Sequence, residues 1–490
     1  MSELPGNPQL LVWLISLPLL GALMSVACRK AGRWTAMTAM IGNLVLACLL
    51  LAATQDGTLR YALGGWEAPL GIALYADTFS AMMIAITALV GAVISGYSLS
   101  YFATGSATER SFWPLWCLLL TALNTLFLSG DVFNLYVGLE VLSLSAVALV
   151  TLAPGLAATR AALRYLLASL MGSLCYLLGV ALLYYAHATL DLALLADLTG
   201  DGPLERAALA LMIVGLLLKT ALFPLHFWLP PAHAGAPAPV SALLSALVLK
   251  GTFYLILRLW FDTLEEAANQ LGTLLLGVLG CAAILWGSVQ AIRATRLKQL
   301  VAYSTVAQIG YLFALFPLLG HATARVTAFD SMIYFIMAHA CAKGAMFLAA
   351  GNILTVAGHD RIAELRAANL PSAITLFALA IAGISLIGLP PTGGFIAKWL
   401  MLQSAFHAGS WWLVVVVLLG GLLAAAYVFR VVAICFDRSE VSAPTDTAPR
   451  VATINPGREW SALVLALAAL ALGLLAAPAL ALFDATALMG

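Results

Sequence analysis

Residues 217–258 read LLKTALFPLHFWLPPAHAGAPAPVSALLSALVLKGTFYLILR. An apolar run carries Lys219 and is then interrupted through Pro224, Trp228, Pro230 and Pro231; after the segment AHAGAPAPV (232–240) a second apolar run begins and carries Lys250. Proline removes a backbone donor, so a helix containing this cluster is broken. In hydrocarbon such a break is tolerated only where the freed polar groups are packed in protein or line a cavity. A charge at the bilayer centre costs about 2.5–3.5 kcal/mol on insertion scales, so the two lysines also call for a protein-lined interior. The stretch therefore predicts two consecutive helices, the first broken, inside a membrane bundle.

The rest of the chain agrees. Of 490 residues, 63% are hydrophobic and 9% charged, and mean hydropathy is +1.01, whereas soluble domains carry about 25% charged residues. Apolar runs of spanning length are centred near residues 18, 44, 87, 120, 143, 175, 215, 248, 280, 309, 338, 388, 424 and 470. The expected fold is an all-α polytopic membrane protein of about 14 transmembrane helices, one transmembrane domain over 1–490. It divides into helices 1–3 (1–110), a first repeat (111–260), a second repeat (270–436) and a last helix (459–483). The longest connections, near 54–74 and 437–458, are polar. Helix 1 begins near Pro8, with Glu3 before it and Arg29 and Lys30 after it. It lacks a secretory signal's basic leader and reads as a retained helix.

Orientation follows from Lys and Arg placement. Loops after odd-numbered helices hold 15: Arg29, Lys30, Arg33, Arg110, Arg160, Arg164, Arg293, Arg296, Lys298, Arg361, Arg366, Arg430, Arg438, Arg450 and Arg458. The other face holds 4, Arg60, Arg206, Arg258 and Arg325. Moving Arg164 and Arg430 into helices leaves the asymmetry intact. The expected localisation is multi-pass in the cell (inner) membrane, with both termini extracytoplasmic.

A second break is expected in helix 12, at Gly388, Pro390, Pro391, Gly393 and Gly394, before the chain resumes into Lys398. Paired breaks in two halves are a transporter signature. Lys219 and Lys398 are 179 residues apart, Arg164 and Lys343 also 179, and Lys250 and Arg430 180. Helices 6, 7 and 8 thus map onto 11, 12 and 13, an offset of five helices, which reverses topology and predicts inverted repeats.

Several function classes are excluded. Cys28, Cys48, Cys117, Cys175, Cys281, Cys341 and Cys435 contain no CxxC pair, and no GxxxxGKS or GxGxxG loop opens a helix. No metal and no cofactor is expected on this chain. The net charge of +1 implies no nucleic-acid partner.

The chemistry-bearing residues are Glu140 in helix 5 and four lysines inside apolar helices, Lys219, Lys250, Lys343 and Lys398. Burial disfavours an ammonium, and a nearby carboxylate favours it. Moving Glu140 relative to Lys219 would therefore switch the lysine between holding and yielding a proton. The competing reading is a buried salt bridge that only fixes packing. For Lys343, read as nearer a helix end, the competing reading is snorkelling to the interface. His226 beyond the break, His233 in the linker and His339 one turn before Lys343 are relay candidates, because imidazole titrates near neutral pH; each equally suits capping a broken helix. His187, His321, His359 and His407 fall in expected loops and read as solvated. Ser173, Ser241, Ser245 and Tyr254 suit either water wires or close helix packing. Asp77 reads as interfacial.

DVFNLYVGLEVLSL (131–144), the 217–258 stretch, RLKQLVAYSTVAQIGY (296–311), MAHACAKGAMFLAAG (337–351) and GLPPTGGFIAKWL (388–400) resemble the antiporter-like subunits of Mrp-type cation/proton antiporters, respiratory complex I and membrane-bound hydrogenases. The resemblance runs through most of helices 4–13. It implies that the family's helix-5 glutamate falls on Glu140, its helix-7 and helix-8 lysines on Lys219 and Lys250, its helix-12 lysine or glutamate on Lys398, and its broken-helix histidines on His226 and His233. It also implies inverted repeats at helices 4–8 and 9–13. Pro231 departs from the pattern, since many members have an acidic residue there.

The chain stops after helix 14 without the long lateral helix of the largest members, so it resembles the shorter ones. DVFNLYVGLEV leans toward the D-type subunit of Mrp antiporters. The expected function is a proton-translocating or cation/proton antiport subunit, exchanging protons and Na+ or K+ beside other membrane subunits in lipid. A proton-pumping subunit of a complex I-like NADH-quinone oxidoreductase or hydrogenase is the alternative. A structural scaffold is the alternative of another class.

Overall fold

The structure is a computed structural model and describes residues 7–365, 372–436 and 454–481. Both ends of the chain, Arg366, Arg438, Arg450 and most of the 437–458 connection lie outside the described residues.

Twelve helices among the described residues are long and apolar enough to cross a membrane. They are α1 (Gln9–Ala27), α2 (Gly32–Ala53), α3 (Thr78–Tyr101), α4 (Ala107–Leu128), α5 (Val132–Val150), α6 (Leu156–His187), α8 (Ala238–Thr263), α9 (Gln270–Arg293), α10 (Leu297–Leu319), α11 (Arg325–Ala357), α13 (Trp411–Phe436) and α14 (Pro456–Leu474). The remaining two expected positions hold helices in two pieces: α7a (Pro203–Thr220) with α7b (Leu229–Gly235), and α12a (Ala373–Ile387) with α12b (Gly393–His407). Both breaks expected from proline and glycine are therefore present.

The polar 54–74 connection carries a small hairpin, β1 (Leu59–Ala62) paired antiparallel with β2 (Ala73–Ala76), with Leu59 opposite Ala76. Beside it Asp77 starts α3 through a capping box: Ser80 N–H donates to Asp77 Oδ1 at 2.8 Å, and Asp77 N–H donates to Ser80 Oγ at 2.9 Å. Asp131 starts α5 in a similar way, accepting from Asn134 N–H at 2.7 Å.

Helices in this bundle differ sharply in what surrounds them. The most apolar windows of α8 and α11 are 100% buried in protein and that of α10 is 89% buried, against 39% for α1 and α13 and 33% for α14. The helices that carry Lys250, His339 and Lys343 are thus the ones wrapped by other helices, while α1, α13 and α14 leave most of their apolar surface uncovered by this chain. The cost of charge is met by protein partners and not by the bilayer.

Several expectations for single residues are corrected. Lys343 lies near the middle of α11, which runs on to Ala357, and is fully buried, so it does not snorkel. Lys298, expected in a loop, is the second residue of α10 and 3% exposed. Arg458 lies within α14 and is buried against Tyr97 and Thr355. His187 ends α6 and pairs with Glu205 at 3.2 Å, so it is not simply solvated. Asp77, expected as interfacial, stands at the start of α3, where it is buried in protein and pairs with Arg258, an addition to that expectation and not a correction of it.

Candidate functional site

A first cluster joins α5, α6 and α7a. At Gly172 an added Cβ would lie 2.7 Å from Gly215 O, and at Gly215 one would lie 2.3 Å from Gly172 O. Only two glycines allow these backbones so close, and the contact seats Lys219 against α6. Lys219 Nζ donates to Ser143 Oγ at 2.7 Å and to Ser169 Oγ at 2.8 Å, and Ser169 Oγ donates to Ser143 Oγ at 2.6 Å. Ser143 gives its own proton to Leu139 O at 2.7 Å, which leaves its oxygen as an acceptor for the amine. Glu140 Oε1 stands 3.9 Å from Lys219 Nζ, and Glu140 Oε1 has no hydrogen-bond partner among the described residues.

The break follows at once. Ala221 takes a left-handed conformation, φ +57°. Trp228, stacked on Tyr165 at 4.1 Å, turns its indole N–H back onto Leu218 O at 2.8 Å and satisfies a carbonyl that the break frees. His226 is half-buried beside Phe223, 5.5 Å between ring centroids, and makes no hydrogen bond to a lysine among the described residues. Alongside, Thr220 Oγ1 donates to Thr252 Oγ1 at 2.9 Å, joining the helix of Lys219 to that of Lys250.

A second cluster occupies the protein-wrapped centre. Within α8, residues Leu244–Val248 form a π-helical turn. Lys250 Nζ donates to Ser245 O, five residues back, at 2.5 Å; π-turns of this kind frequently mark functional positions. Ser245 Oγ meets Thr305 Oγ1 at 2.9 Å, and Thr305 Oγ1 donates to Val301 O at 3.1 Å. The same Val301 O accepts from Lys343 Nζ at 3.0 Å, and Lys343 also donates to Ser304 Oγ at 2.5 Å. Lys250 and Lys343 are therefore joined through one edge of α10.

His233 and His339 complete this cluster. Both are buried, and all four ring nitrogens lack a protein partner among the described residues. The His233 ring meets Phe347 edge-on, 5.8 Å between centroids, and the His339 ring stacks on Phe335 at 5.8 Å. Lys298 donates to Ala236 O in the linker that carries His233.

Lys398 ends the row. Its Nζ donates to Leu386 O at 2.9 Å and Ile387 O at 3.0 Å, the carbonyls left free where α12a stops, and lies 4.3 Å from the Tyr311 ring centroid. Gly388 makes the turn with φ +88°, and a Cβ there would lie 2.7 Å from Lys398 Cδ. Lys219 lies in the last turn before its break and Lys398 in the second turn after its own. Their regular spacing in sequence thus puts them on opposite sides of the two breaks.

Sequence reasoning missed Ser143, Ser169, Ser304, Thr305 and Lys298. Ser143 was within reach of it, one helical turn beyond Glu140 on the same face; the others depend on which helices meet. Ser241 donates to His233 O at 2.7 Å and Tyr254 to Phe127 O at 3.2 Å, so both serve local packing here.

On the face opposite the basic loops, a cavity of about 420 Å3 is lined by Arg60, Tyr75, Asp77, Asp191, Arg258 and Asp262, among others. Arg60 Nη2 donates to Asp191 Oδ2 at 2.9 Å, and Arg258 Nη1 to Asp262 Oδ2 at 2.8 Å. Burial, helped by the Asp77 charge, pushes the Tyr75 phenol above its usual range. Among the described residues no group of three or more His, Cys, Asp or Glu side chains could hold a metal ion.

Fold and site together define a class: a helical membrane protein whose titratable groups form a row through its interior. The chain matches the family described as NADH:quinone oxidoreductase/Mrp antiporter, transmembrane, over residues 129–424, and it belongs to that family. It is 37% identical over 378 residues to the N-type subunit of NADH-quinone oxidoreductase from Desulforudis audaxviator, covering 76% of this chain and 74% of that one. It is 31% identical over 375 residues to the D-type subunit of the Na(+)/H(+) antiporter from Alkalihalophilus pseudofirmus, covering 75% and 74%. Its fold is that of a chain in the Mrp complex of Dietzia sp. DQ12-45-1b, with a TM-score of 0.87 at 24% identity over 98% of this chain and 96% of that one.

Proposed function

We propose that this chain is a proton-translocating subunit of a multisubunit membrane assembly, of the D type found in Mrp antiporters, which exchanges protons for Na+ or K+. The observation that carries this reading is the row itself: Glu140 and Lys219, then Lys250 and Lys343 joined along α10, then His339 and Lys398. A buried ring nitrogen without a protein partner costs about 1–3 kcal/mol unless something else satisfies it. A bridging water supplies that partner at His233 and His339 and can hand a proton to the ring. Lys219 beside Glu140 is the loading site, Lys250, Lys343 and His339 are the central relay, and Lys398 is the outer exchange site. His226 stands apart from that relay, at the rim of the first break.

In this proposal the inverted repeats are helices 4–8 and 9–13, both termini are extracytoplasmic, and the basic loops face the cytoplasm. The partners are the other membrane subunits of the assembly. A second reading is favoured by the 37% identity to the N-type subunit of an NADH-quinone oxidoreductase: the same row driven by electron transfer elsewhere in the assembly. The assembled complex, in sealed inverted vesicles, separates them. A Na+ or K+ gradient should drive proton flux without an electron donor; flux that needs a donor and ignores the cation gradient would select the redox-driven reading. A reporter fused at Gly490 should be active only outside the cytoplasm.

A further inference from the structure

Away from the lysine row, on the face of the basic loops, a cavity of about 470 Å3 lies between the α1–α2 turn and the start of α4. Its wall carries Arg29, Lys30, Arg33 and Arg110 against a single carboxylate, Glu109. That carboxylate is engaged through Oε2, while its buried Oε1 has no hydrogen-bond partner among the described residues and only the Arg33 charge beside it. Gly105 N–H donates to Glu109 Oε2 at 2.5 Å, and Arg33 Nη1 stands 3.7 Å from Oε1 while donating to Thr104 Oγ1 at 3.0 Å. The wall keeps a surplus of positive charge facing the cavity.

An independent observation points to a ligand. Trp113, which also lines the cavity, is 1% exposed, and its indole N–H has no hydrogen-bond partner among the described residues. Indole nitrogen only donates, so this buried group calls for an acceptor. Positive charge with an orphaned donor selects an anion rich in oxygen acceptors, as a phosphate group is. The neighbouring surface of α1 and α2 is apolar and open, with Leu23 59%, Val26 62% and Trp34 55% exposed. Trp34 lies under the Arg33 guanidinium, 5.0 Å from its ring centroid, an arrangement suited to the headgroup level of a bilayer. Basic pockets between membrane helices commonly take anionic headgroups.

We propose that this cavity binds the phosphate group of an anionic phospholipid from the leaflet on that side. Arg29, Lys30, Arg110 and the Trp113 indole hold the headgroup, and the acyl chains lie on the exposed face of α1 and α2. The test is native mass spectrometry of the purified, assembled complex titrated with phosphatidylglycerol, in wild type and in an Arg29→Gln/Lys30→Gln variant. Both substituted residues are exposed, so assembly is expected to be retained. Wild type should keep one more phosphatidylglycerol per copy of this chain, and the variant should need about tenfold more lipid to regain it, as for loss of a charged hydrogen bond. Trp113→Phe, checked for assembly, should weaken the same lipid while leaving the exposed charges in place. Phosphatidylcholine should not compete, and inorganic phosphate should displace the lipid only at far higher concentration. Identical lipid occupancy in wild type and the charge variant would overturn the site. Equal competition by phosphatidylcholine would overturn anion selection, and displacement by matching concentrations of inorganic phosphate would overturn the lipid as its source.

Discussion

Lys219 Nζ stands 3.9 Å from Glu140 Oε1 yet gives its hydrogen bonds to Ser143 and Ser169, at 2.7 and 2.8 Å. The carboxylate acts on the lysine through charge, and the two hydroxyls fix where the amine points. A pair that only braced helices would be expected in direct contact.

Substitution of Lys219 should separate the two roles. Lys219→Ala removes the proton carrier, and Lys219→Arg keeps a charge that is not released near neutral pH, so both should abolish proton uptake by the assembled complex. Glu140→Asp should be milder than Glu140→Gln. Ser143→Ala with Ser169→Ala should lower flux about tenfold by removing both acceptors of the amine. Near-normal flux in a well-assembled Lys219→Ala complex would sink the relay.

Lys298 offers a sharper contrast, because sequence and structure disagree about it. Lys298→Gln should cut flux several-fold with assembly retained, through its place beside the linker of His233. Arg296→Gln, two residues away with its side chain 63% exposed and paired to Asp360 at 3.2 Å, should change flux by less than about twofold, since exposed pairs contribute only about 0–1 kcal/mol. Equal effects of the two variants would show that the contact of Lys298 with the His233 linker does nothing for flux.

At the second break, Lys398→Ala leaves Leu386 O without its lysine donor and Ile387 O likewise, and should lower thermal stability as well as flux, by about 1–3 kcal/mol. Gly388→Ala forces a side chain into a left-handed turn and against Lys398. It should cost at least about 1 kcal/mol. A Gly388→Ala complex as heat-stable as wild type would show that the turn relaxes without strain.

The Asp77–Arg258 pair makes stability depend on pH. Burial works to raise the Asp77 carboxyl, but Arg258 and the Ser80 bonds outweigh it and hold the group below its ordinary value. A carboxyl depressed in the folded state adds stability above its unfolded pKa, about 4, and loses it as pH falls through the folded value. Asp77→Asn should therefore destabilise the complex by about 3 kcal/mol at pH 7, the cost of leaving a largely buried charge without its main partner. Its deficit against wild type should shrink below about pH 4. A deficit that stays constant from pH 7 down to strongly acid conditions would mean that the Asp77 charge contributes nothing.

That the chain is a membrane bundle, where two of its helices break and which charged residues lie in apolar surroundings could all be read from the residues in order. Each of those is a local property: apolar runs long enough to span, proline and glycine that cannot continue a helix, and Lys219, Lys250 and Lys398 set among apolar neighbours. Which side chains meet was settled by packing. Ser169 becomes a ligand of Lys219 because Gly172 and Gly215 let the backbones of α6 and α7a touch, Ser143 joins it from α5, and Lys343 is held away from the membrane surface because α10 offers it Val301 O and Ser304. Lys298 reads as a loop cation until the His233 linker folds over it. His226 and His233, seven residues apart in one motif, separate into a rim and a core position because the chain between them turns through the break. Helix periodicity fixes each side chain's direction around its own axis, but it holds no information about the neighbouring helix, and a proton path is a property of neighbours.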